Sequence, residues 1–339
     1  MMKLWSLPLL LFALAACKGN DGRGVDVEPE GLGALLTDGV AADCLSWEDT
    51  PLSSHMGFIC ERQAGYRFTA EVPRDGIVRG AVIMIPGATP MKRTRGIISG
   101  VVPAERFDGL LLISPEPRTY SVLGGLVTSP LWNGSGERSP RDNGCCVDSG
   151  MADRTFVAGL VRELRNALPL VPTFLVGFSN GGMLVFDLMY NELLDIDHYV
   201  MALSSDQTNG RVVSQIGASV SLIAVRDDEI IPFTGGPVAL SFAVSSINAQ
   251  NPFVNAPPFT ETLGDLLRIK DCESEAETQL SSLGQGTVAK YSCDRNTVTA
   301  FVLEQGGHRL GSSSWHEPTP QRRDVIEYVL DRMEDRVAR

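Results

Sequence analysis

The chain alternates short apolar runs with segments of helical length, and this alternation constrains its fold more than any other feature. The runs end at turns or glycines and are rich in branched residues: 77–85, 109–114, 172–176, 220–225 and 298–303. The helix-length segments are 151–167, 181–191, 260–270 and 321–336. Strands that alternate with helices form a mostly parallel sheet with helices on both faces. We therefore predict an α/β fold of this kind, with reactive groups at the carboxyl ends of the strands.

One serine lies in a sequence that is typical of a catalytic turn. Ser179 is the centre of a G-x-S-x-G pattern that runs from Gly177 to Gly181, between an apolar strand and a helix. In that setting the serine occupies a strained turn, and bulk at either glycine would collide with the neighbouring strand and helix. The helix that follows directs its first backbone N–H groups at negative charge developing on a substrate. Ser179 is therefore the candidate nucleophile.

A serine hydroxyl needs a base to remove its proton, and the three histidines after Ser179 are the candidates. His198 opens an apolar, strand-like run and is interpreted as structural. His316 stands beside Trp315 in a serine-rich loop and is interpreted as a surface or substrate-contact residue. His308 directly follows the last apolar run, in a glycine-rich turn. His308 is therefore the candidate base.

The acid that orients the base is expected after the apolar run 220–225, which lies between the nucleophile and the histidine. Asp227, Asp228 and Glu229 all follow that run closely. Position alone leaves the three open, and those that are not catalytic are interpreted as a solvated acidic turn.

The N-terminal residues predict export and lipid attachment. The apolar run from Leu7 to Ala16 is too short to span a bilayer as a mature helix and reads as a secretion signal. It ends at Cys17 in a sequence that resembles the lipobox of bacterial lipoproteins, although an ordinary signal peptide with an incidental cysteine is the alternative. We expect a signal peptide at 1–16, a lipidated flexible tether at 17–43 and a catalytic domain at 44–339.

The residue after the expected lipidation site bears on location. Lys18 resembles the outer-membrane sorting pattern of enterobacterial lipoproteins. The expected location is therefore the outer membrane, on its periplasmic or cell-surface side, with the membrane contacted through the N-terminal lipid.

The cysteine content favours disulfides over metal. Seven cysteines less Cys17 leave six, an even number, and an even set in an exported chain indicates disulfide bonds. The six are Cys44, Cys60, Cys145, Cys146, Cys272 and Cys293. They lack the paired CxxC spacing of a zinc site, so no metal is expected. Short loops favour Cys44 with Cys60 and Cys272 with Cys293, which leaves the two adjacent cysteines as a vicinal pair or as free thiols.

The net charge argues against nucleic acid as a partner. The 339-residue chain carries a net charge of −12, and its basic residues are scattered apart from Lys92, Arg93 and Arg95. Binding to phosphate backbones needs a concentrated basic face. A nucleic-acid-binding function is therefore not expected.

Taken in order, these motifs resemble the family of poly(3-hydroxybutyrate) depolymerases and feruloyl or acetylxylan esterases, which is related to carbohydrate esterase family 1. The matching positions, between about residue 66 and residue 310, are Pro86-Gly87, Trp132-Asn133, Cys145-Cys146, Gly177 to Gly182, Asp228 to Phe233, Cys272 with Cys293, and Gly306 to His308. The resemblance implies an α/β-hydrolase fold. It also implies that Asp228 is the acid and that Cys272 bridges Cys293.

The sequence departs from the family pattern at three places around the pocket. Pro86 replaces a histidine, Val225-Arg226 replaces a His-Gly pair, and Arg309-Leu310 replaces a Trp-Pro-Gly close. These changes leave the three catalytic positions intact and concern the pocket walls.

Together, the residues and the resemblance predict a secreted serine esterase that acts through an acyl-enzyme and needs no cofactor. The expected substrates are polyhydroxyalkanoates or feruloyl and acetyl esters of polysaccharide. The backbone N–H groups of Ala88 and Asn180 are the expected oxyanion donors. Trp132, Trp315 and His316 are expected near the substrate, although each aromatic could equally be a packed loop anchor.

Three interpretations stay open at this point. A non-catalytic surface protein that binds polysaccharide or a partner, and a peptidase on the same scaffold, are the alternatives to an esterase. The proline-rich segment 246–259 is either a lid or an insertion.

Overall fold

A mixed sheet organises the protein, which we describe from a computed structural model of the chain. The described residues are 25–26, 43–47, 52–62, 65–87, 101–122, 127–132, 151–192, 194–206, 217–238, 255–294, 296–311 and 318–337. Within them, the main sheet has eleven strands. In chain order these are β1 (Asp43–Trp47), β2 (His55–Glu61), β3 (Arg67–Pro73), β4 (Gly80–Ile85), β5 (Leu110–Pro115), β6 (Thr173–Phe178), β7 (His198–Ala202), β8 (Ser219–Val225), β9 (Glu277–Leu280), β10 (Gly286–Ser292) and β11 (Thr297–Leu303).

The middle of this sheet is parallel and its two edges are antiparallel. Across the sheet the order is β9-β10-β11-β8-β7-β6-β4-β5-β3-β2-β1. The strands from β11 to β5 in that order pair in parallel. The hairpin β9-β10 and the strands β1 to β3 complete the edges in antiparallel pairs. The carboxyl ends of the parallel strands therefore meet at one side of the sheet, as expected.

Helices cover both faces of the sheet. They are a 3-10 helix (Ala104–Phe107) and four α-helices, α1 (Met151–Ala167), α2 (Asn180–Asn191), α3 (Phe259–Ile269) and α4 (Pro320–Val337), within the described ranges. Side chains alternate between the faces along each strand, so β4 places Ile83 in the core beneath α1 to α3 and Val82 in the core beneath α4. A strand buried on both sides needs a continuous apolar run, and every residue of β4 is buried.

This arrangement is the α/β-hydrolase fold that the sequence predicted, and the expectation is confirmed. The sharp turn at Ser179 joins β6 to α2, Asp228 follows β8, and His308 follows β11. The apolar runs became the buried parallel strands, and the expected helix at 151–167 is α1. None of the helices that the structure describes has the length and apolar character needed to cross a bilayer.

Among the described residues, two disulfide bonds link segments at the edges of the sheet. Cys44 in β1 is bonded to Cys60 in β2, and Cys272 after α3 is bonded to Cys293 after β10. These are the two pairings expected from loop lengths. Cys17, Cys145 and Cys146 lie outside the described residues, so their predicted chemistry stays a prediction.

In the part of the chain that the structure describes, three small antiparallel pairs lie outside the main sheet: Val25–Asp26 with Ile77–Val78, Arg118–Val122 with Val127–Leu131, and Gly236–Pro237 with Asn255–Ala256. The first pair includes two residues of the predicted tether. The rest of that tether before Asp43, and the whole predicted signal peptide, lie outside the described residues. The proposed domain boundaries therefore stay predictions.

A buried carboxylate joins α4 to the hairpin at the sheet edge. Asp324 is fully buried in α4. It accepts hydrogen bonds from the hydroxyls of Ser281 and Ser282 and, at 3.1 Å each, from the backbone N–H groups of Leu283 and Gln285. One side chain thus satisfies the donors of the turn between β9 and β10, which makes the hairpin part of the folded body.

Candidate active site

The turn that carries Ser179 is strained and tightly enclosed. Ser179 has φ 52° and ψ −123°, a conformation that side-chain-bearing residues rarely adopt. A Cβ on Gly177 would lie 2.6 Å from Cγ2 of Val185, and a Cβ on Gly181 would overlap the carbonyl oxygen of Pro86. Only glycine fits at these two positions. The pattern read from the sequence therefore has the steric basis expected for it.

The three predicted side chains meet at the carboxyl end of the sheet. Nε2 of His308 lies 2.9 Å from Oγ of Ser179. Nδ1 of the same ring lies 2.8 Å from Oδ2 of Asp228. His308 is 2% exposed and Asp228 7% exposed, whereas Ser179 is only partly buried. His308 and Asp228 are thus shielded from water, whereas Ser179 is partly open to solvent.

Both oxygens of Asp228 lie near Nδ1 of His308, Oδ2 at 2.8 Å and Oδ1 at 3.1 Å, and Oδ1 also has backbone partners. Oδ1 accepts the backbone N–H groups of Ile230 and Ile231, each at 2.8 Å, in a tight turn that the aspartate closes itself. Oδ2 is directed at the imidazole of His308. The turn therefore holds the carboxylate through local backbone bonds, whereas the histidine that it contacts comes from a distant part of the chain.

The neighbouring acidic residues also contact the turn that carries His308. We call this turn, residues 306–311, the histidine turn. Oδ1 of Asp227 accepts the N–H of Gly307 at 2.8 Å, and Oε2 of Glu229 accepts the N–H of His308 at 3.0 Å. The sequence interpretation treated these two carboxylates as a solvated turn if they were not catalytic, and it missed their contacts. The run of three acids was a visible signal, but nothing in the sequence indicated which way each side chain points.

Two pieces of backbone lie beside Ser179, the candidate nucleophile, where oxyanion donors are expected. The N–H of Asn180 opens α2, where the first amides have no acceptor within the helix. Gly87, two residues after β4, lies against Ser179: a Cβ on Gly87 would lie 3.1 Å from Cβ of Ser179 and 3.7 Å from its Oγ. The chain after Gly87 thus starts next to the nucleophile. Ala88, the second expected donor, lies outside the described residues.

Trp132 ties these two pieces of backbone together. Its backbone N–H donates to Oδ1 of Asn180 at 2.6 Å, and its carbonyl accepts from Nδ2 of Asn180 at 3.0 Å. Its indole N–H donates to the carbonyl of Pro86 at 2.8 Å. Trp132 therefore links the start of α2 to the loop after β4.

The expectation that Trp132 contacts substrate is wrong, because the residue is 0% exposed. It is the packed anchor that the sequence allowed as the alternative, and its indole N–H has the internal partner that a buried tryptophan requires. Trp315 and His316, the other two expected substrate contacts, lie outside the described residues, as does Asn133.

An apolar cluster lies next to the turn from Gly177 to Gly182 that carries Ser179, which we call the elbow. Met183, one turn into α2, is buried with Ile230 and Ile231 of the acid turn. The described end of the segment 246–259 joins this region, because the rings of Phe233 and Phe259 stack at 5.1 Å. That end of the segment is therefore an integral part of the body, while 246–254 lies outside the described residues.

His198 is at the opposite end of the sheet from Ser179, in keeping with the structural role expected for it. Its Nε2 lies 2.8 Å from Oγ of Ser221, which in turn lies 2.8 Å from the hydroxyl of Tyr328. Burial lowers the pKa of His198 from 6.5 to about 3, so the ring is neutral at physiological pH. His198 is therefore part of a buried polar network between β7, β8 and α4.

No protein-family model matches the chain, and no curated protein sequence matches it. An acetyl xylan esterase from Aspergillus awamori is 12% identical, with 79% of this chain and 94% of that chain covered and a TM-score of 0.47. A carboxylesterase from Mesorhizobium loti is 14% identical, with coverage of 84% and 98% and a TM-score of 0.42. An esterase from Pyrococcus furiosus is 11% identical, with coverage of 85% and 95% and a TM-score of 0.45.

Proposed function

We propose that the protein is a serine esterase that hydrolyses carboxylic esters through an acyl-enzyme on Ser179. The observation that carries the proposal is the chain of hydrogen bonds at the carboxyl end of the sheet. It runs from Ser179 Oγ to His308 Nε2 at 2.9 Å, and from His308 Nδ1 to Asp228 Oδ2 at 2.8 Å. A nucleophile, a base and an orienting acid in this order and at these distances are what acyl transfer requires.

Each group has one step to perform. As Oγ of Ser179 attacks the ester carbonyl, Nε2 of His308 takes its proton, and Asp228 holds the ring in the tautomer that can accept it. The carbonyl oxygen becomes an oxyanion, which the N–H groups of Asn180 and Ala88 stabilise. His308 then protonates the leaving alcohol. Water repeats the sequence on the acyl-enzyme and releases the acid, so the scheme needs neither a metal nor an organic cofactor.

The strained elbow supports catalysis over a purely binding role. A non-catalytic surface protein would have no use for a nucleophile at φ 52° between two positions that only glycine can fill. Strain of this kind persists at functional sites because the surrounding structure enforces it.

We further propose that the substrate is a hydroxyalkanoate polyester or a feruloyl or acetyl ester of polysaccharide, met outside the cell. The motif order read from the sequence supports this substrate class. The apolar side chains of Met183, Ile230 and Ile231 beside the elbow suit an acyl group. The lipobox ending at Cys17 and the two disulfide bonds support an exported, lipid-anchored protein of the outer membrane.

Hydrolysis of p-nitrophenyl acetate and butyrate tests the esterase proposal. We expect Ser179→Ala to lower kcat by about a thousandfold or more, because no other group replaces the nucleophile. Ser204→Ala is the matched control, since Ser204 is the serine nearest to Gly182 of the elbow and its Oγ has no hydrogen-bond partner among the described residues. Equal rates for wild type and Ser179→Ala would end the assignment.

Two further measurements address substrate and location. Product release from feruloylated xylan and from polyhydroxybutyrate granules compares the two substrate classes directly. Palmitate labelling of the wild-type protein should be lost in Cys17→Ser, and labelling that persists would refute the lipid anchor.

A further inference from the structure

Three consecutive carboxylates each hold a different group of the histidine turn. Asp227 accepts the N–H of Gly307, Asp228 faces the ring of His308, and Glu229 accepts the N–H of His308. We call Asp227, Asp228 and Glu229 the acidic clasp. The clasp reaches both the side chain and the backbone of the residue that has to take the proton of Ser179.

The histidine turn depends on such contacts because it belongs to no helix or strand. Its backbone groups therefore take partners from elsewhere: the bond from Gly307 to Asp227 is exposed to water, whereas the bond from His308 to Glu229 is partly buried. The clasp accepts hydrogen bonds from the N–H groups of Gly307 and His308. On the other side of the turn, Arg322 donates to the carbonyl of Arg309 at 2.9 Å, and Thr319 donates to the carbonyl of Leu310. Contacts from the acid turn and from the start of α4 thus fix the two sides of the turn separately.

Gly307 shows how closely the clasp fits. Its φ is 56°, and a Cβ at this position would lie 2.5 Å from Oε2 of Glu229. The absence of a side chain is what lets the carboxylate approach the N–H of the next residue, His308. The close approach of Glu229 is therefore built into the turn.

We propose that Asp227 and Glu229 are positioning residues: they fix the backbone at Gly307 and His308 so that the imidazole is held within reach of Ser179. Neither residue touches the reacting atoms, and both act through the position of His308. The inference rests on the proposed esterase function, which gives the position of this ring its consequence. Misplacement of a catalytic group by about 1 Å can lower a rate by about a hundredfold.

Kinetics of full-length variants on p-nitrophenyl butyrate test the proposal. We expect Glu229→Ala to lower kcat about tenfold, with KM changed by less than about twofold, because the ring is displaced while the substrate space is unaltered. Glu229→Gln should recover most of the loss, since its amide oxygen can accept the same N–H. The control is Glu304→Ala. It removes the ion pair between Glu304, just before the histidine turn, and Arg226, just before the clasp, but leaves the bonds to the turn amides in place, so its kcat should match that of wild type.

Hydrogen exchange provides a readout that does not require activity. The peptide 304–311 should exchange faster in Asp227→Ala and Glu229→Ala than in wild type and Glu304→Ala. If wild type hydrolyses no ester, the esterase proposal fails and exchange still tests the clasp. Wild-type kcat and unchanged exchange in Glu229→Ala would overturn the inference. Equal losses of kcat in Glu229→Ala and Glu229→Gln, each in step with a lower Tm, would also overturn it by indicating a general role in stability.

Discussion

Replacing Asp228 by asparagine should stop catalysis and leave the fold intact, because only one of the two carboxylate oxygens also closes a backbone turn. Oδ1 accepts the N–H groups of Ile230 and Ile231 at 2.8 Å each and lies 3.1 Å from Nδ1 of His308, whereas Oδ2 makes the shorter contact with Nδ1, at 2.8 Å. Asparagine offers one oxygen and one NH2 group, so it can keep an acceptor at only one of these places.

The backbone decides which place keeps the oxygen. Turning NH2 towards Ile230 and Ile231 would leave two buried N–H groups without an acceptor, at roughly 1–3 kcal/mol each, against one lost contact to the ring. The NH2 group therefore takes the position of Oδ2, the oxygen nearer to the ring, and donates to Nδ1, while the retained oxygen lies farther from Nδ1, at 3.1 Å. The proton of the ring must then lie on Nε2, where it removes the acceptor that Ser179 needs. A triad in the wrong tautomer loses about 10⁴ in kcat, or about 5.5 kcal/mol of transition-state stabilisation.

The assay is hydrolysis of p-nitrophenyl butyrate with thermal and urea unfolding of the same preparations. For Asp228→Asn we expect the loss in kcat with a free energy of unfolding within about 1 kcal/mol of wild type, since the turn keeps both hydrogen bonds. Asp228→Ala should lose activity and, in addition, about 2 kcal/mol of stability. An asparagine variant that keeps more than about a tenth of the wild-type kcat would refute the reasoning about the tautomer.

Three other features give expected outcomes. Asp324→Ala should lower the free energy of unfolding by about 3 kcal/mol in urea, because it removes the acceptor of four hydrogen bonds from the β9-β10 turn, of which the bond from Ser281 is buried, and a loss below about 1 kcal/mol would contradict this. Trp132→Phe removes the indole N–H bond to Pro86 and leaves a cavity in the core, so kcat on p-nitrophenyl butyrate should fall about fivefold and Tm should also fall; wild-type kcat would show that the bond is dispensable. The pKa of His198 is lowered from 6.5 to about 3 in the fold, so only the unfolded chain takes up this proton as pH falls below 6.5. Stability is therefore complete above that pH and decreases by up to about 2 kcal/mol at pH 5, and His198→Gln should reduce this loss; an unchanged slope would argue against it.

The parallel core could be predicted because burial on both faces leaves a strong mark in a sequence. Every residue of β8 is buried, so the run is apolar enough to recognise without any knowledge of its neighbours. The hairpin β9-β10 was not predicted, since β9 is exposed along its whole length and carries no apolar run. The strands β1 to β3 were missed for a related reason. β2 mixes buried, half-buried and exposed residues, and β3 is buried from Phe68 to Pro73 but includes Thr69 and Glu71, so neither strand has a continuous apolar run.

The candidate site divides in the same way. The residue types and spacing around Ser179 and His308 were informative because a strand, a turn and a helix are local structures. The direction of a side chain depends on segments that meet only in the fold. That is why Trp132 was expected at the substrate and is found buried against Asn180, and why the contacts of Glu229 were not foreseen.

The register of the parallel strands determines whether the triad can assemble. In β6, Phe178 pairs with Ala202 of β7, and Ala202 pairs with Ile223 of β8. In turn, Val225 of β8 pairs with Leu303 of β11. A shift of one residue between β8 and β11 would turn the core side chains of one strand to the opposite face. The apolar packing on both faces therefore excludes such a shift, and the same packing fixes the ends of β6, β8 and β11 at the spacing over which the hydroxyl, the carboxylate and the imidazole meet.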